Sequence, residues 1–419
     1  MNYSGRKILI LGANAETIPI IKVAQNMGIH VTVTDNIPKS PAKAVADDHL
    51  DINGKDIDML ARIVDERGID GIMVGVADSL VPSYYALCKK ADRPCYAKER
   101  SCRLFSDKSE WKTLCSKYGI KTLRQLYSGN CFSEKLLDLS LPLVIKPQIS
   151  RGGKGVSICR SSEDVQAAFE IACSISDNSQ CVIEQYCEGR RLSAYYMVVD
   201  GSPVLLNLAD CTWRSASESD KHFLVYSFPS TLMETYTETM EGKITEFLSD
   251  NDVQNGIVAV EMFYDKGDFY VFDLEYNVTA AISSERAYRY ICRGYNAIEA
   301  LIGFSISGRM ILERDRDIAA GYKDSALIYI YVKEGTVGES RTDVEIRDTQ
   351  AVYEIQQRLF PGSCVTQDQV LTTKAILARI WLTNTDVKRL NDMVETVINN
   401  VSINSDLGEN MIIEKGDLG

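Results

Sequence analysis

Residues 143–158 read LVIKPQISRGGKGVSI, a basic, glycine-rich loop between two apolar runs. Gly152, Gly153 and Gly155 let backbone amides approach an anion, and Lys146 and Lys154 flank them with positive charge. The pattern is a phosphate cradle. It is neither the GxxxxGKS/T loop nor the GxGxxG that opens a helix in a dinucleotide fold, so a third kind of nucleotide loop has to be considered.

On the amino-terminal side of the loop, roughly residues 5–100 alternate strand and helix: KILILGA, ETIPIIKVAQNMG, HVTVTD, DIDMLARIVDERG and DGIMVGV. Such alternation predicts an α/β unit, a parallel sheet with helices on both faces, whose ligand would sit at the carboxyl ends of the strands. Gly12, Ala13, Asn14 and Asp35 occupy such ends, where tight-turn and N-cap roles compete with ligand contact. From about Phe105 the pattern becomes α+β. A helix over SEWKTLCSKYG, a strand ending at Lys146, the glycine loop, a helix over SEDVQAAFEIACS and the strand CVIEQYC lead into strand-rich sequence ending with GIVAVEMFY and DFYVFDLEYN. The last hundred residues, with ALIYIYV and the helix DVKRLNDMVETVINNV, predict a small closing domain.

Composition narrows the function. The 46 basic against 58 acidic residues give a net charge of −12, which opposes non-specific attraction to nucleic acid and to anionic lipid. No window approaches the roughly 18 apolar residues of a membrane span, so a soluble cytoplasmic protein acting on small molecules is expected. The 12 cysteines form no CxxC pair and sit singly in apolar patterns, as reduced buried thiols do. With three histidines, none at ligand spacing, any metal should be oxygen-bound.

Along VFDLEYN the side chains of Asp273, Glu275 and Asn277 share one strand face, because strands have a period of two. Glu261 interrupts an apolar strand just before them, and a carboxylate there is costly unless a cation compensates it. Carboxylates completed by phosphate oxygens and water suit Mg²⁺. Glu261 shares the Glu275 face only if the hairpin loop holds an odd number of residues or the pair carries a bulge. A three-residue loop, Lys266-Gly267-Asp268, would place Glu261 opposite Asp273, whereas an even, two-residue loop would put Glu261 on the other face and sink the shared metal site.

Taken in order, FSDKSEWK, LVIKPQISRGGKGV, VIEQYCEG, VAVEMF and FDLEYN resemble the ATP-grasp superfamily of carboxylate-amine ligases over about residues 105–310. SPAKAVADDHLD and ARIWLTNTDVKRL are similar to the branch holding the carbamoyl phosphate synthase large chain, biotin carboxylase and purine carboxylases. The resemblance implies three parts: a Rossmann-like pre-ATP-grasp domain (1–104), an ATP-grasp domain (105–310, small lobe about 105–185, large lobe about 186–310) and a carboxyl-terminal lobe (311–419). It also implies ATP with Mg²⁺, or Mn²⁺ in its place.

The same resemblance assigns roles residue by residue. Lys108 and Lys146 match the lysines that reach ATP phosphates, and Ser150, Arg151, Gly152, Gly153, Lys154 and Gly155 the lid over the β- and γ-phosphates. Glu184, Gln185, Tyr186 and Cys187 match the adenine-recognising strand, and Glu261, Glu275 and Asn277 the metal ligands. Many relatives hold the ribose with a glutamate where this chain has Arg191, with Glu188 nearby. Several carry an arginine, as the charge-steadying catalytic group, where this chain has Thr279; Arg286, Arg289 and Arg214 are the substitutes, each as readily structural.

The expected activity is attack of a carboxylate on the γ-phosphate of Mg-ATP, giving ADP and an acyl phosphate that an amine captures. Alternatives are a bicarbonate-using carboxylase and a catalytically weak ATP-binding regulator. NAD binding should be negligible, since GANAETIP offers one glycine where the fingerprint wants three. The carboxylate and amine stay open, as does a homodimer, which relatives often form.

Overall fold

The computed structural model describes residues 2–106, 108–149, 155–217, 219–320, 324–344 and 352–418. Strands Lys7–Leu11, His30–Thr34, Asp48–Leu50 and Gly71–Val74 form a parallel sheet in the order third, second, first, fourth. Ile8 to Leu11 are buried, as expected of a strand covered on both faces. The Asp48–Leu50 strand escaped the sequence reading because three residues are too short to show a period. Asn14 accepts a hydrogen bond from the Thr17 N–H, and Asp35 from those of Ala13 and Ile37. Both side chains therefore serve the turns.

The small lobe is an antiparallel sheet in the order Gln125–Gly129, Cys181–Gln185, Leu143–Pro147, Ser157–Cys159. Its alternation is strict: Leu143, Ile145, Cys181 and Ile183 join Val165 and Phe169 of helix Ser162–Ile175 in a separate core. Val144 opposite Glu184, and Lys146 opposite Val182, are thereby turned to the other face. Gly155 ends the glycine loop at φ +74°, where an added Cβ would meet Ile175 and Pro147 at 2.9 Å, so two constraints require glycine.

The large lobe is built on a nine-stranded sheet, antiparallel except for the pairing of Lys121–Thr122 with Asp268–Glu275. Strands Asp324–Tyr331, Val352–Gln357 and Ile376–Asn384 of the last hundred residues extend this same sheet. Every residue of Ile376–Asn384 is buried, and Leu390, Val394 and Val397 of helix Val387–Asn400 belong to the core that covers it. The closing lobe is thus continuous with the large-lobe sheet.

The hairpin of Gly256–Asp265 and Asp268–Glu275 turns through two residues, Lys266 and Gly267, at φ +49° and +90°. Both positive values mark a type I′ turn, the even loop that by itself would put Glu261 on the other face. Pairing runs from Asp265 with Asp268 to Met262 with Val271, then shifts so that Glu261 faces Asp273. The extra residue, Phe272, is a bulge that returns Glu261 to the face of Asp273 and Glu275.

Candidate active site

Helix Lys108–Cys115 and the inner face of the small-lobe sheet bring three lysines together. Lys108 Nζ lies 3.0 Å from Asp273 Oδ2. One turn on, Lys112 contacts Glu184 Oε1, while Lys146 Nζ lies 2.7 Å from Glu184 Oε2. Glu184 is 1% exposed, so two nearly buried ammoniums share one carboxylate. Burial, reinforced by Lys108, pushes Lys112 down to about 8. Burial, then Lys108 and Lys112, holds Lys146 well below the usual lysine value. A surplus of buried cations is relieved by a polyanion. Val156 and Ile158 are exposed beside them, and Ile158 pairs with Val144, which places an apolar floor for a flat ring on the lysine face. Lys112 was absent from the sequence reading; its position one helical turn after Lys108 is the signal that could have found it.

Opposite lies the carboxylate group. Glu261 accepts hydrogen bonds from Arg191, 3.0 Å away, and from Ser193. Burial, then Asp78, Glu261 and Asp273, pushes Glu275 well above the usual glutamate value. Asn277 Nδ2 donates to the Gly75 carbonyl at 2.5 Å, and its buried Oδ1 has no partner. Among the described residues no three His, Cys, Asp or Glu side chains converge as a metal cluster. The donor set nevertheless fits a hard cation: mutual repulsion around Glu275 and the orphaned Asn277 oxygen are both relieved by one. A cavity is lined by Asp78, Lys108, Gln148, Asp273, Glu275 and Tyr276, so that Lys108 and the carboxylates Asp273 and Glu275 share one wall. Asp78, from the amino-terminal domain, carries no motif that sequence alone could flag.

The remaining expected residues fall as follows. Ser150, Arg151, Gly152, Gly153 and Lys154 lie outside the described residues. Gln185 is exposed and its N–H donates to the Arg124 carbonyl. The Tyr186 ring lies 5.4 Å from the Arg160 guanidinium, and Glu188 is exposed. Burial pushes the Cys187 thiol up, away from nucleophilic reactivity. Arg191 is taken by Glu261. Arg214 reaches Asn391 and Ser227, at 3.4 and 3.5 Å, and Arg289 pairs with Glu299 and Asp315. The Arg286 side chain is exposed while its N–H donates to Glu354. The Thr279 hydroxyl is buried without a partner.

A second charged cluster joins the amino-terminal domain to the carboxyl-terminal strands. Arg379 Nη1 lies 2.8 Å and Arg358 Nε 3.0 Å from Glu16 Oε1, and Arg379 stands over the Tyr329 ring at 5.0 Å. Burial raises the Glu16 pKa, but Arg379 and Arg358 outweigh it and hold the carboxyl below its usual range. Glu16 Oε2 and Arg379 Nε are buried with no hydrogen-bond partner, and Arg358 Nε is not aligned to donate. Two guanidiniums therefore face one carboxylate. A single arginine inside the apolar run ILARIWL was the available sequence signal, the same one that exposed Glu261.

Residues 139–282 match the ATP-grasp domain family model. The formate-dependent phosphoribosylglycinamide formyltransferase of Bacteroides thetaiotaomicron is 27% identical over 186 residues, 43% of this chain and 48% of the relative. Among solved structures, the biotin carboxylase domain of Hydrogenobacter thermophilus 2-oxoglutarate carboxylase superposes with a TM-score of 0.72 at 15% identity, covering 97% of this chain and 91% of that one. The L-amino acid ligase of Bacillus licheniformis gives 0.72 at 15%, covering 96% and 99%. The chain spans about half the length of the curated relatives it matches, 48% and 49% for two of them. Fold, cleft and the match over residues 139–282 together mark an ATP-grasp domain within this chain. By sequence its likenesses include a purine enzyme, and by fold a biotin carboxylase domain and an amino acid ligase. Among the described residues no helix is long and apolar enough to cross a membrane.

Proposed function

We propose that the chain is an ATP-dependent ligase that activates a small carboxylate as an acyl phosphate and joins it to an amine, releasing ADP and phosphate. The observation that carries this reading is the gathering of Lys112 and Lys146 on Glu184 and of Lys108 on Asp273, the last pair lining one cavity with Glu275. In the proposed complex the adenine ring lies on Val156 and Ile158, with its amino group toward Glu184. The lysines draw in the triphosphate, and Glu261, Glu275 and Asn277, with Asp273, would hold Mg²⁺. Bound there, the cation neutralises charge on the phosphate chain. The protein contributes position and charge compensation, so no side-chain nucleophile is needed.

Formate is the first carboxylate to try, because the matched relatives are formate-dependent. We assign an anionic group of the amine substrate to the Glu16, Arg358 and Arg379 cluster, whose excess positive charge and orphaned atoms call for one. Incubation with Mg-ATP, formate, bicarbonate or pooled amino acids, read by phosphorus NMR and mass spectrometry, tests the reading. ADP, phosphate and a new condensed mass are expected. AMP and pyrophosphate would refute the acyl phosphate route, and bound but unconsumed ATP would favour a regulator.

A further inference from the structure

Lys112 is the lysine of this group to which the sequence assigned no role. Its side chain is 9% exposed, and the helix bearing it is pinned by the fully buried Trp111 beside it. Burying an ammonium is costly, and methionine would fill the same volume without that cost. The charge therefore has a task beyond packing. The geometry shows which one: Glu184 has two oxygens, Lys112 occupies Oε1, and Lys146 occupies Oε2.

If Lys146 faced Glu184 alone, the two charges would cancel and the sheet would offer the phosphate chain no net attraction. With Lys112 sharing the carboxylate, the group keeps one positive charge. We propose that Lys112 is a positioning residue for the nucleotide, sharing Glu184 so that the charge of Lys146 remains available to the phosphates. This rests on ATP being the ligand, as proposed above. Lys108, Asp273 and Cys115 also act on Lys112, and Lys108, Lys112 and Asp273 on Lys146. The local field is thus cationic apart from Glu184 and Asp273, and a bound polyanion makes both lysines hold their protons more tightly.

The test is a cycle of Lys112→Met, Glu184→Gln and the double variant, with Lys112→Arg as the charge-preserving control. Calorimetry would follow ATPγS and adenosine, with melting curves to confirm folding. Lys112→Met should weaken ATPγS binding about tenfold or more while changing adenosine binding less than about threefold, and Lys112→Arg should restore most of the loss. In the Glu184→Gln background, where Lys146 has no carboxylate to neutralise it, Lys112→Met should add little. Wild-type affinity for ATPγS should fall above about pH 8 with proton uptake on binding, and Lys112→Met should flatten that slope.

Equal losses for ATPγS and adenosine, or additive losses in the cycle, would overturn the inference and leave Lys112 a structural residue. Failure of the wild type to bind ATPγS would instead defeat the proposed nucleotide. If Lys112→Met does not fold, the Lys112→Arg protein and the pH profile of the wild type carry the same test.

Discussion

Replacing Glu16 by glutamine tests the idea that this carboxylate offsets part of the positive charge buried between the amino-terminal domain and the carboxyl-terminal strands. Glu16→Gln leaves Arg358 and Arg379 buried without the charge that both face at 3.0 and 2.8 Å. Removing one partner of a buried ion pair costs about 3–5 kcal/mol, because the charge left behind is uncompensated. Arg379→Met is the informative contrast: Glu16 keeps Arg358 as its counter-charge, while its hydrogen bond from Arg379 is lost together with the Arg379 contacts to Gln356 and the Tyr329 ring. Those three losses are offset in part by relief of the cost of burying the guanidinium, leaving roughly 1–3 kcal/mol.

Urea unfolding at pH 7 should therefore rank Glu16→Gln as clearly the more damaging change. The pH dependence supplies an independent sign. Because the Glu16 carboxyl is held below its usual value, its contribution is present above the unfolded pKa of about 4.3 and drains away as pH falls through the lower folded value. The penalty of Glu16→Gln should shrink accordingly below about pH 4. A Glu16→Gln protein no less stable than Arg379→Met at pH 7 would refute the charge accounting.

Lys146→Met should lower nucleotide affinity at least tenfold with no loss of stability, since it removes an ammonium that burial disfavours; calorimetry with ADP and a melting curve check both halves. Between about pH 8 and pH 10.4 the folded state sheds the Lys112 proton before the unfolded chain does, so that group's contribution to stability should rise with pH and vanish in Lys112→Met, read from urea midpoints. Mg²⁺ should raise the melting temperature of the wild type but not of Glu275→Gln, because the cation relieves a crowd of like charges that Asp78, Glu261 and Asp273 make around Glu275. Deleting Phe272 should abolish Mg²⁺-dependent nucleotide binding by removing the bulge, whereas Lys266→Asn in the turn should leave binding unchanged and add a few tenths of a kcal/mol.

Much of the architecture was legible because it depends on short-range period. The alternation of the amino-terminal segments announced a parallel sheet, and period two along VFDLEYN placed Asp273 and Glu275 on one face. The hairpin shows how far such arithmetic reaches. Parity alone required either an odd loop or a bulge; which one occurred depended on the positive-φ Lys266-Gly267 pair and on where Phe272 could be accommodated. That the carboxyl-terminal strands join the large-lobe sheet was illegible for a different reason. Whether a strand edge is extended by a later segment is decided by long-range pairing, to which local pattern is blind.

What the chain determined by itself, then, was the set of elements, their buried faces, and the unusual charges that interrupt them: Lys146, Glu184 and Glu261. Only the tertiary structure decided how those charges are shared. Lys112 meets Glu184 from 72 residues away, Arg191 meets Glu261 from 70, and Arg379 meets Glu16 from 363. Periodicity tells which way a side chain points from its own element. The partner it finds is set by how separate elements dock, and in a buried, poorly screened interior that partner determines whether a charge is spent on the fold or left for a ligand.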